Sequence, residues 1–126
     1  MNDLMPISEA ESQVMQVLWA RHPLSAEQVV TALADSTDWQ EPTVKTLLNR
    51  LLKKRAIAAQ RDGRRYLYRP LLAREDYVHA ASKSLLDRLF DGRVAPLVAH
   101  FSERRKLSRK DIAELKRLIE EIDRDR

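Results

Sequence analysis

The sequence contains no cysteine. Disulfide staples, thiolate metal sites and cysteine nucleophiles are therefore excluded. It has two glycines, too few for a glycine-rich phosphate loop or a turn-dense all-β fold. Aromatic residues make up 6% of the chain, a thin supply for the stacking platforms of single-strand nucleic-acid binders. No apolar run approaches the roughly 18 residues that a bilayer span needs. The N-terminal MNDLMPISEAE is acidic and has no apolar core segment, so no signal peptide is read there and a cytoplasmic location is expected. No nucleophile–base constellation is visible, so no catalytic residue is assigned. His22, His79 and His100 are scattered and read as ordinary surface or packing residues. No metal or other cofactor is expected.

What is present is charge, unevenly placed. The 126 residues are 33% charged and 44% apolar, which suits one domain, or a small domain with an appendage. The net charge is +4. Residues 1–40 carry one base against six acids, a net −5. Residues 41–69 carry nine bases against two acids, a net +7. Residues 70–126 carry thirteen bases against eleven acids, a net +2. The short middle segment thus holds an excess larger than that of the whole chain, a distribution that points to a polyanionic partner.

Local patterns divide the same stretches into elements. Ser8 and Glu11 form a capping box ahead of an apolar stripe of Val14, Met15, Leu18 and Trp19. Pro23 should stop that helix near His22. Ser25 and Gln28 repeat the box before Ala26, Val29, Val30 and Leu33. A third helix is expected from Glu41-Pro42 to about Arg55, with Val44, Leu47, Leu48, Leu51 and Leu52 on its inner face. Ile57 to Pro70 reads as a hairpin about an Asp62-Gly63 turn, with Arg61, Arg64 and Arg65 at its tip. Helical patterns resume at Ala73, pause at Asp91-Gly92, and end in a helix capped by Ser108.

Two short helices, a third with an apolar inner and basic outer face, and then a hairpin are the order of a winged helix-turn-helix. The expected fold is mainly α with a small β-hairpin wing. Residues 1–72 form the DNA-binding domain and residues 73–126 a helical dimerisation domain. Thr43, Thr46, Arg50 and Lys53 share one outer stripe of the third helix, flanked by Lys45, Asn49 and Lys54. Threonine methyls can meet thymine methyls, arginine can bond guanine O6 and N7, and lysines suit phosphates. With Arg61, Arg64 and Arg65 they form the expected interface with double-stranded operator DNA. The C-terminal segment is rich in Leu85, Leu86, Leu89, Phe90, Leu97, Val98, Phe101, Leu115, Leu118, Ile119 and Ile122. So short a helical segment makes a poor isolated core, and a second copy of the chain is the economical cover.

The runs ISEAESQVMQVLW, LSAEQVV, TVKTLLNRLLKKRAI and RRYLYRPL resemble the penicillinase repressor family, which includes the methicillin-resistance repressor. Weaker likeness continues through SKSLLDRLFDG and PLVAHF to the last helix. The resemblance implies a homodimeric repressor of palindromic operators upstream of β-lactamase and regulator genes. It also implies inactivation by cleavage in the dimerisation lobe, triggered by a membrane sensor-transducer with a metalloprotease domain. The matched recognition positions are Thr43, Lys45, Thr46 and Arg50, while Pro42 stands where a basic residue is frequent. The family's Asn-Phe cleavage junction aligns with His100-Phe101, which keeps only the phenylalanine. The cysteine-rich motif of copper-responsive relatives is missing. No direct membrane binding is expected. Two other readings compete: a repressor released by a small ligand, and a winged-helix module used only for protein assembly.

Overall fold

A computed structural model describes residues 6–104 and 107–126. The element order is α1 (Glu9–Ala20), α2 (Ala26–Leu33), α3 (Glu41–Lys53), β1 (Ile57–Asp62), β2 (Arg65–Pro70), α4 (Arg74–Leu89), α5 (Val94–Glu103) and α6 (Arg109–Arg124). The chain divides into two compact units, the first ending at Val78 and the second beginning at His79.

In the first unit, both expected capping boxes are closed. The Glu11 N–H donates to Ser8 Oγ at 3.1 Å, and the Ser8 N–H donates back to Glu11 Oε1 at 2.8 Å. Ser25 and Gln28 exchange the same pair of bonds at 3.2 and 2.8 Å. Each box satisfies donors that a helix start otherwise leaves open. The three helices close over one core. Val14, Met15 and Leu18 of α1 meet Val29 and Leu33 of α2 and Val44, Leu47, Leu48 and Leu51 of α3. Ile57 and Tyr68 bring the hairpin onto the same cluster.

The hairpin is antiparallel, in a register that pairs Ile57 with Pro70 and Asp62 with Arg65. Its turn is one residue later than the sequence suggests. Asp62 belongs to β1, and Gly63 and Arg64 make the turn, with Gly63 supplying a φ of +64°. Positive φ at the first of two turn residues is a glycine preference that matches strand twist. A third extended piece adds to the hairpin. Leu24 exchanges backbone hydrogen bonds with Tyr68 at 3.0 and 2.7 Å, so the link between α1 and α2 joins the edge of the wing.

The end of α3 is a second departure. The Arg55 N–H donates to Leu52 O and the Ala56 N–H to Leu51 O, both at 3.0 Å. This is the left-handed helix stop usually given to glycine, but Arg55 fills it with a φ of +59°. The stop turns the chain sharply from α3 into β1 and keeps the wing beside the helix.

In the second unit, the stop at Asp91-Gly92 forms as expected, with the Gly92 N–H donating to Leu86 O at 2.9 Å. Ser108 caps α6, accepting from the Asp111 N–H at 3.0 Å. Val94 to Glu103, an apolar segment in the sequence, is helical throughout. None of the described residues from His79 onward is buried. No helix among the described residues is long and apolar enough to cross a membrane.

Candidate nucleic-acid interface

The outer face of α3 follows from its inner one. Val44, Leu47, Leu48 and Leu51 are buried, and the helical period turns Thr43, Lys45, Thr46, Asn49, Arg50 and Lys53 outward, where all six are exposed. Among the described residues, Arg50 and Lys53 form no ion pair. Lys45 lies 3.4 Å from Glu41 one turn back, an exposed pair of the kind worth about 0.3–0.5 kcal/mol, which a phosphate can displace. The Thr46 hydroxyl donates to Pro42 O at 3.0 Å. Its proton is thereby used locally, which leaves Thr46 a methyl and an acceptor for an incoming base. Gln40 stands at the N-cap with its side-chain amide donating back to Asp38 O at 3.4 Å, so it makes no capping bond to this helix start. Open N–H groups at such an end favour an anion.

The wing is prearranged by local contacts. Arg61 donates to Gly63 O at 3.1 Å, and its guanidinium lies 5.8 Å from the Tyr66 ring centre. Arg65 reaches Asp62 at 3.4 Å across the turn. Arg64, at the tip, is exposed and makes no ion pair among the described residues. Of the two tyrosines of β2, Tyr68 is a core residue and Tyr66 is half exposed.

Lys54 does not join this face. Its ammonium donates to Glu11 Oε1 at 2.5 Å and to Pro6 O at 2.7 Å, against α1. The reason is helical phase. Lys54 follows Leu47 and Leu51 by seven and three residues, which places it on the leucine stripe rather than opposite it. Glu11 carries the matching signal, since it precedes Val14, Met15 and Leu18 by three, four and seven residues. A carboxylate on an apolar stripe needs a buried partner.

Burial pushes the Glu11 carboxyl up, but hydrogen bonds and attraction from Lys54 and bonds from Ser8 outweigh it, leaving the group below its ordinary 4.5. A lowered folded value contributes stability that is present above pH 4.5 and is lost as pH falls through the folded value. Glu11→Gln is therefore expected to flatten the acid limb of stability. Urea midpoints measured from pH 6 down to about pH 3 check this. An unchanged acid limb would deny the pair its linkage.

A cleft of about 880 Å³ opens between α1, α2 and the wing, lined by Val17, Ala20, Leu24 and Leu33 together with Gln13, Gln28 and Arg65. Among the described residues no group of His, Asp and Glu gathers as a metal site.

The second unit carries the other expected residues on its surface. Leu85, Leu86, Phe90, Leu97, Val98 and Leu115 are half-buried, and Leu89, Leu118, Ile119 and Ile122 are exposed. His100 and Phe101 lie inside α5, both exposed, with the His100 ring 6.3 Å from Phe90 and 5.3 Å from Phe101.

Comparison with known proteins fits this geometry. The sequence matches the penicillinase repressor family over residues 7–121. It is 34% identical to the penicillinase repressor of Bacillus licheniformis over 121 residues, covering 96% of this chain and 94% of that one. It is 30% identical to the methicillin resistance regulatory protein MecI of Staphylococcus aureus over 118 residues, covering 94% and 96%. The solution structure of the Bacillus licheniformis BlaI monomeric form in complex with the blaP half-operator superposes with a TM-score of 0.52 at 34% identity, over 61% of this chain and 94% of that one. The winged-helix elements, their order and these matches lead to one conclusion: the chain belongs to the penicillinase repressor family.

Proposed function

We propose that this chain is a transcriptional repressor that binds palindromic operator DNA as a homodimer, with residues 1–72 binding DNA and residues 73–126 dimerising. The observation that carries the reading is the exposed face of α3, where Thr43, Thr46 and Arg50 stand outward beside the wing arginines. The α3 N-terminal half presents Thr43 and Thr46 to base edges, and Arg50 bonds a guanine. Lys45, Lys53, Arg61, Arg64 and Arg65 hold the backbone. The structure of the Bacillus licheniformis relative in complex with a half-operator supports the DNA-binding reading.

The regulated genes are those of β-lactam resistance, as the names of the penicillinase and methicillin-resistance relatives suggest. Repression ends by cleavage of the His100–Phe101 bond, through a membrane sensor-transducer metalloprotease. Because that bond lies within α5, the helix must open before a protease can hold it extended.

Arg50→Ala tests the recognition face. It is expected to weaken binding to duplex from upstream of the protein's own gene by about 1–3 kcal/mol, and less on scrambled duplex. An unchanged titration removes Arg50 from the interface. The cleft beside α2 favours a second reading, release by a small apolar ligand. Candidate ligands added to the same titration separate it from proteolysis. A protein-assembly role would be revived if no duplex were retained at low salt.

A further inference from the structure

The start of α1 and the end of α3 meet at one carboxylate. Glu11 is 1% exposed, and its Oε1 takes both the Ser8 N–H and the Lys54 ammonium. The same ammonium holds the Pro6 carbonyl. Lys54 is the C-cap of α3, with its own N–H bonded to Arg50 O at 3.0 Å. The core residues that α1 and α3 share, Val14, Met15 and Leu18 with Val44, Leu47, Leu48 and Leu51, are apolar, and apolar packing is non-directional. An ionic, hydrogen-bonded contact at one end has a single good geometry, and buried groups of this kind can fix register where apolar packing alone tolerates sliding.

Its position gives it leverage. Thr43 lies eleven residues from Lys54, about 16 Å along the helix at about 1.5 Å per residue. A pivot of about 5° at Lys54 would move the Thr43 end by about 1.4 Å, against the roughly 0.5 Å that a binding constellation tolerates.

We infer that Glu11 and Lys54 form a positioning latch that sets the angle of α3 against α1, and that Lys54 makes no phosphate contact. The inference rests on the DNA-binding reading above, and it separates two kinds of basic residue on one helix. Base readout depends on the helix angle, whereas sequence-independent attraction depends on charge. Loss of the latch therefore lowers operator selectivity, and loss of an outer-face lysine lowers all binding alike.

The test compares Lys54→Met with Lys53→Met, on a duplex carrying the footprinted site and on a scrambled duplex, each across a salt series. Lys54→Met is expected to lose about tenfold or more on the site duplex, change less than about twofold on the scrambled one, and keep the salt slope. Lys53→Met is expected to weaken both and to reduce the slope by about two in a dimer, at about 0.9 per phosphate. Lys54→Arg should restore selectivity. Where Lys54→Met fails to fold, Glu11→Gln serves, with the same selective loss expected. A slope reduced by Lys54→Met as much as by Lys53→Met, or unchanged selectivity in folded latch variants, overturns the inference. A wild-type chain that bound no duplex would defeat the DNA-binding reading instead. The latch is then decided by a double-mutant cycle on unfolding, with coupling of about tenfold or more in the equilibrium constant expected and less than about twofold overturning it.

Discussion

In the proposed homodimer, Ile119→Asp is expected to separate the subunits and, with it, to abolish tight operator binding. Ile119 is the most exposed large apolar side chain of the described residues, at 62%. It shares one stripe of α6 with Ile112, Leu115 and Ile122, spaced by three, seven and ten residues from Ile112. Such a stripe has no purpose in water, and none of the described residues from His79 onward is buried. Covering one such side chain is worth about 1.5–3 kcal/mol. A two-fold interface uses it twice, and aspartate adds the cost of desolvating a charge at each site. The dimer dissociation constant should therefore rise at least about 100-fold, which corresponds to about 2.8 kcal/mol. Sedimentation at micromolar protein reads the first effect, and operator titration reads the second. Glu121→Gln, a change of charge alone in the same helix, should move neither much. A variant that stays dimeric, or a monomer that binds the operator as tightly as wild type, would refute the dimer mechanism.

Salt is expected to act as strongly as that substitution. If a dimer neutralises about 6–10 phosphates, log K against log salt falls with a slope of about −5 to −9. That corresponds to a loss of about 10³- to 10⁵-fold in affinity between 50 and 200 mM salt. The cations proposed to meet phosphate sit on the outer face of α3 and on the wing, where they are exposed. Lys45 and Arg65 must first leave Glu41 and Asp62. Those exposed pairs are weak and are themselves screened, so they barely blunt the slope. A flat response would remove the electrostatic basis of the interface.

The parts of this protein that are legible in its sequence are those whose cause is local. Ser8 with Glu11 and Ser25 with Gln28 announce two helix starts because a capping box is complete within four residues. The inner and outer faces of α3 are legible because helical period alone sorts leucine from arginine. The glycine of the wing turn is legible, though its register is not, because an Asp62–Arg65 pairing depends on the whole ladder. What escapes has a distant partner. Leu24 pairs with Tyr68, and the Trp19 indole donates to Leu72 O at 2.9 Å, fifty-three residues away. Neither residue type advertises its partner. Arg55 escapes for another reason: its left-handed backbone follows from closing α3 tightly onto β1, and arginine is not the residue that geometry favours. The Glu11–Lys54 pair lies between these cases. Its two partners are distant, but each stands on an apolar stripe where a charge is out of place, a phase that the expectation of Lys54 on the outer face misses.

Protection of duplex DNA by the wild-type chain tests the central claim most directly, on the segment upstream of its own gene. The expected footprint is two symmetric protected half-sites, centred about one helical turn or a multiple apart (roughly 34 Å per turn), as two α3 helices related by a two-fold axis require. Absence of protection at low salt, or a single unpaired half-site at saturating dimer, would contradict it.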